Sequence, residues 1–185
     1  MFKYIEKENL IKTEIKGLIF YKNKEPFIDQ RGSLFKLKPN LYNSDLEIKI
    51  ADLVNVIADD KKPRGGHYHK ESQDHAWCFF GTALWFFIDF RNEKQKEKPV
   101  FACILGVDKI DNEIFSDVPD FSVNKLKKMI HLNIPSGVYH IVWPLGDKPL
   151  MLTEAKTMEF DESDYVRINP DNIPELVKFK EKYKL

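Results

Sequence analysis

PRGGHYHKESQDHAWCFFG, residues 63–81, holds two histidines one residue apart, an acid five positions later, and an aromatic run that closes on a glycine. On a β-strand the side-chain period is two, so His67 and His69 share one face. Gly65 and Gly66 ahead of them permit a bulge or a close backbone approach. A turn over KESQ (70–73) would bring Asp74 back on the partner strand near the pair. His75 has the opposite parity to Asp74, so a regular strand sends only one of them to the histidine face, and Asp74 is the one expected there.

Further along, IPSGVYHIVWP (134–144) places His140 three residues after a Pro-x-Gly turn. Three imidazoles and a carboxylate meeting inside a barrel suit one divalent transition metal held by His67, His69, Asp74 and His140. Without a metal, the same groups suit proton transfer near neutral pH, where histidine titrates. The residues leave both chemistries open. His131, on KKMIHLNIP, reads as structural, and Trp77, Trp85 and Trp143 read as core.

The surrounding sequence predicts strands. Aromatics make up 13% of the chain, with 14 Phe, and the apolar runs are short and rich in β-branched and aromatic residues. Strands are expected in 17–22, 33–38, 47–59, 75–81, 83–91, 100–106, 127–135, 139–145, 149–160 and 164–168. Turn residues separate them at 29–32, 62–66, 135–137 and 145–149. Many short strands at near-regular spacing predict an all-β sandwich or barrel. Helix signals are confined to a turn or two in 121–129 and a short helix at the C-terminus, with Pro174 near its start. The 185 residues carry no internal repeat or low-complexity segment and read as one domain spanning 1–185.

Charge excludes other classes. Lys plus Arg and Asp plus Glu each number 29, which removes the electrostatic argument for nucleic acid or an anionic membrane as partner. No window approaches the roughly 18 apolar residues of a membrane span. The charged start, MFKYIEKENLIKTEIKG, lacks the apolar segment of a signal peptide, so the expected location is cytoplasmic. Cys78 and Cys103 show no CxxC spacing and read as two buried free thiols.

HxH, an acid, six residues to a glycine, and a later PxGxxH together resemble the paired motifs of the cupin superfamily. Within it the chain is similar to the dTDP-4-dehydrorhamnose 3,5-epimerase-like family, with features of the dTDP-sugar 3,4-ketoisomerases. The epimerase-like segments are 11–37 with its acid-x-Arg-Gly turn, PRGGH (63–67), IPSGVYH (134–140), KTMEF (156–160) and INPD (168–171). The ketoisomerase-like segments are PRGGHYHK (63–70) and FDESDYVRI (160–168). The order and spacing of these segments cover residues 10 to 170. The resemblance implies a cupin-type jelly-roll barrel with a short C-terminal helix.

It also implies an isomerase of deoxysugar biosynthesis, acting on a dTDP-4-keto-6-deoxyhexose by His-mediated proton abstraction next to the keto group, without cofactor. His67 is then the base and His69 a second acid/base, with Asp171 a carboxylate partner. Arg31 or Arg64 would lie near the diphosphate or the developing enolate, and Asp74, Tyr139 and His140 would line the substrate. The resemblance further implies a homodimer, to which Leu18, Phe20 and Phe35 would offer exposed N-terminal apolar surface. The pattern departs at two positions. Phe160 stands where the epimerases carry an acidic tyrosine, and Asp74 stands where they carry a lysine. A metal-dependent cupin and a non-catalytic sugar-binding barrel are the alternative readings.

Overall fold

A computed structural model of the chain describes residues 2–23, 27–30, 32–34, 52–58, 62–92, 94–95, 97–110 and 113–185. The N-terminal strands are β1 (Tyr4–Glu6), β2 (Leu10–Thr13), β3 (Ile19–Lys22), β4 (Phe27–Asp29) and β5 (Gly32–Leu34). The barrel continues with β6 (Asp52–Ala58), β7 (Arg64–His69), β8 (Asp74–Phe80), β9 (Thr82–Asp89) and β10 (Val100–Gly106). After a one-turn helix α1 (Val123–Leu126) come β11 (Ile130–Ile134), β12 (Val138–Leu145), β13 (Leu150–Lys156) and β14 (Tyr165–Arg167). Helix α2 (Pro174–Tyr183) ends the chain. Among the described residues, no helix is long and apolar enough to cross a membrane.

Two antiparallel sheets result. One has seven strands in the order β1-β2-β3-β11-β8-β13-β6, the other five in the order β10-β9-β12-β7-β14; β4 and β5 pair as a separate hairpin. This is the expected all-β jelly roll. The inner faces meet over a core in which Phe20, Ala76, Leu132 and Leu152 pack against Trp85, Phe87, Phe101 and Val142. Alternate residues of the five-stranded sheet point the other way. Phe86, Tyr139 and Trp143 join Leu176, Phe179 and Tyr183 of α2 in a second cluster, which buries the apolar face of that helix.

Leu18 and Phe20 are fully buried in the inner core rather than exposed, because strand parity turns Phe20 inward beside Leu132. Phe35 lies outside the described residues, as do 35–38 of the strand expected over 33–38. Cys78 and Cys103 are buried free thiols, and burial pushes the Cys78 thiol up to about 12.

The outer face of the seven-stranded sheet carries His75 and His131. Their rings are hydrogen-bonded at 3.0 Å, and Trp77 stacks on His131 with ring centroids 4.5 Å apart. Parity thus sends His75 outward and Asp74 inward, as the alternation requires.

Candidate active site

β7 brings the two histidines to the inner face of the five-stranded sheet. Its pairing with β12 matches His140 to His67 and then Ile141 to Gly65, a bulge between His140 and Ile141. Gly65 has φ +82°, and a Cβ there would lie 2.7 Å from the His140 carbonyl oxygen. Only glycine allows this approach. The three imidazoles consequently cluster, with His67 4.7 Å from His140 and 5.1 Å from His69 between ring centroids.

From the facing sheet, β8 supplies Asp74. Its Oδ2 lies 3.2 Å from His69 Nε2 and 3.5 Å from His140 Nε2. Directly across the β8–β13 register stands Lys156. Its ammonium is 3.3 Å from Asp74 Oδ1 and 3.2 Å from His69 Nε2, and it donates to the Tyr165 hydroxyl at 2.8 Å. The contact with Oδ1 is ionic and not a directed hydrogen bond, since that oxygen receives no donor of good geometry. β14, paired with β7, sets Tyr165 opposite His69 and Arg167 opposite His67. The Tyr165 ring packs edge-on against His69 at 4.3 Å and tilted against His67 at 5.0 Å.

A second carboxylate reaches His69 from behind: Asp164 Oδ2 accepts from its Nδ1 at 2.9 Å. Oδ1 of the same group accepts the Glu71 backbone N–H at 2.8 Å. Burial raises the Asp164 carboxyl, but this N–H and His69 outweigh it and hold the group below the ordinary carboxylate value. Asp171 is not brought to the site. It lies in the 3-10 turn Pro170–Asn172 just before α2, exposed, with Lys180 Nζ 2.9 Å away.

The electrostatics follow from this crowding. Desolvation, then His140 and His69, push His67 down to about 3, so its imidazole is neutral. Burial lowers His140 as well. Burial raises the Asp74 carboxyl, yet the hydrogen bond from His69 and the nearby positive charges win, and it stays ionised. Lys156 loses by burial and gains more from Asp74 and Tyr165, so its charge is reinforced. Because a carboxylate only accepts, His69 Nδ1 carries the proton toward Asp164. Nε2 then lies between the Lys156 ammonium, which can donate to it, and the Asp74 carboxylate.

Arg64 opens β7 and is exposed. Tyr139, next to His140, has the opposite parity and is fully buried in the cluster under α2; burial pushes its hydroxyl up to about 12. Tyr68 likewise faces away, stacked on Phe90. Arg31 lies outside the described residues. Phe160 is exposed, with its ring 5.4 Å from Tyr165. Lys156, Asp164 and Tyr165 were missed as site residues although all three lie in the quoted segments 156–160 and 160–168. For Lys156 the signal was parity with Leu150 and Leu152 on β13; Asp164 lies in the turn before β14 and carried no such signal.

The ligand atoms of His67, His69, Asp74 and His140 all lie within 4.8 Å of one another, the grouping the metal reading expects. The residues around them do not fit the ion. A divalent metal bound to Asp74 and His69 at about 2.0–2.2 Å would press against the Lys156 ammonium, which already neutralises the same buried carboxylate.

No family model matches the chain, and no curated protein matches it. Solved structures do. A sugar 3,4-ketoisomerase from Thermoanaerobacterium thermosaccharolyticum in complex with TDP is 18% identical, with 89% of this chain and 98% of that one covered and a TM-score of 0.55. A dTDP-6-deoxy-D-glucose-3,5-epimerase from Legionella pneumophila, in complex with dTDP-4-keto-L-rhamnose, is 14% identical over 91% and 80%, with a TM-score of 0.66. A dTDP-4-dehydrorhamnose 3,5-epimerase from Sulfolobus tokodaii is 17% identical over 93% and 84%, with a TM-score of 0.64. The chain therefore has the cupin-type jelly-roll fold that these dTDP-sugar ketoisomerases and epimerases share.

Proposed function

We propose that the protein is a sugar-nucleotide isomerase acting on a dTDP-4-keto-6-deoxyhexose type of substrate in deoxysugar biosynthesis. The observation that carries this reading is a neutral, half-buried His67 beside a His69–Asp164 dyad, with a buried ammonium between the two sheets. His67 removes the acidic proton from the carbon next to the keto group, and the electron pair passes into an enolate. Lys156 and the Tyr165 hydroxyl face the developing oxyanion, where fixed charge in a dry site is most effective. His69, oriented by Asp164, gives and takes the oxygen-bound proton. Arg64 and Arg167 flank His67 and remain exposed, which suits the diphosphate. Lys156 and Tyr165 thus supply the cation and the hydroxyl that Asp74 and Phe160 leave missing in the resemblance.

In this reading no resident metal is needed, since Lys156 carries the positive charge. Elemental analysis of the protein purified without chelator is expected to find no stoichiometric transition metal. One ion per chain, lost in H67A, would favour the metal reading instead.

Paired subunits belong to the same proposal. β1 is an edge strand with Tyr4 and Ile5 exposed, a surface that another strand can extend. Sedimentation equilibrium is expected to give twice the chain mass. The proposed setting is cytoplasmic, with a small nucleotide-sugar as partner and neither nucleic acid nor membrane, in keeping with the balanced charge. The central test is transfer of solvent deuterium into a panel of dTDP-4-keto sugars. No exchange with any of them would overturn the reading.

A further inference from the structure

Glu154 is an inward carboxyl on β13, apart from the histidine cluster. On β13, Leu150 and Leu152 belong to the inner core and Lys156 faces the histidines, so Glu154, of the same parity, also points inward. Its register partners are Ala76 on β8 and Val54 on β6. Both leave room, Ala76 because it is small and Val54 because β6 is the sheet edge. Glu154 keeps partial exposure and Val54 is 37% exposed. Solvent therefore reaches the Glu154 side chain at this level of the seven-stranded sheet. Among the described residues nothing donates a hydrogen bond to the Glu154 carboxyl.

His67 lies on the opposite wall. Base and dyad stand on β7 of the five-stranded sheet, with Tyr165 beside them on β14. Glu154 stands on the seven-stranded sheet. The two walls meet through their side chains at the level of Asp74, which reaches His69 and His140 from the facing sheet, and Glu154 stands one inward position along β13 from Lys156. Inverting a carbon requires that its proton leave from one face and return to the other. Tyr165 shares the wall of His67 and approaches from the same side.

On the basis of the isomerase reading above, we infer that Glu154 is the acid that returns a proton to the substrate carbon on the face opposite His67, which makes the reaction an epimerisation. His67 takes the proton of the carbon next to the keto group. The C–H electron pair becomes the enolate double bond, with charge on oxygen. The Glu154 O–H then delivers its proton to the same carbon from the other face, the enolate returns to ketone, and Glu154 is left as carboxylate. His67 releases its proton to solvent and Glu154 takes one up, so no net proton is consumed.

The surroundings keep that acid protonated. Burial raises it, and Asp74 on β8 adds to the effect. Lys156 on its own strand and His69 on the facing sheet oppose it, and the balance lies at about 7. Val54, its β6 neighbour, carries no charge.

The test uses the full chain and dTDP-4-keto-6-deoxyglucose in D2O, with configuration and deuterium content followed by NMR. Wild type is expected to give the inverted sugar carrying solvent deuterium, with a rate that falls as pH rises through about 7. E154Q is expected to keep deuterium exchange at that carbon and its wild-type melting temperature below pH 6. It forms the inverted product roughly 100-fold more slowly or worse, and that residual rate no longer falls near pH 7. E154D restores part of the turnover. Inversion by E154Q at the wild-type rate, or a wild-type product with the carbon's configuration retained, overturns the role of Glu154 and leaves the isomerase reading intact. Neither exchange nor turnover by wild type overturns that reading, and this inference with it.

Discussion

Lys156 Nζ and Asp74 Oδ1 lie 3.3 Å apart at one register position of β13 and β8, both side chains buried. An ion pair in such a place is costly to break from one side, because the survivor keeps its charge without compensation. K156M is therefore expected to lose about 3–5 kcal/mol of stability, read as a lower midpoint in urea. Its turnover should drop by roughly 10²–10³, the effect of removing one oxyanion-stabilising group. K156M/D74N should recover part of the stability and none of the activity. A double variant no more stable than K156M would show that the pair is not coupled.

Asp164 and Asp171 separate by position rather than by residue type. D164N removes the negative charge that orients His69 and stabilises its protonated form, so kcat is expected to fall roughly 100-fold. KM should change little, since Asp164 lies behind the imidazole. D171N removes only an exposed contact with Lys180 and should shift stability by less than about 0.5 kcal/mol. Steady-state kinetics of the two variants side by side decide the matter; equal losses would return Asp171 to the site.

The outer His75–His131 pair gives the protein an acid limit. Burial, with His75 beside it, pushes His131 down to about 3, and burial lowers His75 as well. Both are neutral when folded, while the unfolded chain protonates them near their ordinary value of 6.5. Stability from this source is present above pH 6.5 and is lost as pH falls from there toward about 3. H131F keeps a ring against Trp77 and removes one of the two titrations. Its melting temperature should fall less between pH 6.5 and 4 than that of wild type, and identical slopes would contradict the assignment.

Gly65 tests the bulge. A Cβ at φ +82° would meet the His140 carbonyl oxygen at 2.7 Å, so G65A must shift β7 or β12. The expected cost is about 1–3 kcal/mol of backbone strain. Moving His67 away from His140 should also lower kcat more than the stability loss alone explains at a temperature where the variant is fully folded. Wild-type kinetics in folded G65A would show that the bulge does not position the base.

The sequence by itself determined the fold class and one wall of the site. Strand alternation is local, so the shared face of His67 and His69, the split between Asp74 and His75, and the outward turn of Tyr68 could all be read from spacing two. The glycines before His67 likewise announced a close backbone approach, which Gly65 provides. Tertiary structure decided everything that depends on register between distant strands. His69 and Asp164 are 95 residues apart in sequence, and His69 and Lys156 are 87 apart. No local period fixes which residue of β13 or β14 comes to stand beside β7 or β8. The β13–β8 register set Glu154 beside Ala76, and the path of the chain after β14 left Asp171 on the surface with Lys180. Pairing of far segments, by backbone hydrogen bonds and the burial of alternate side chains, chose these neighbours.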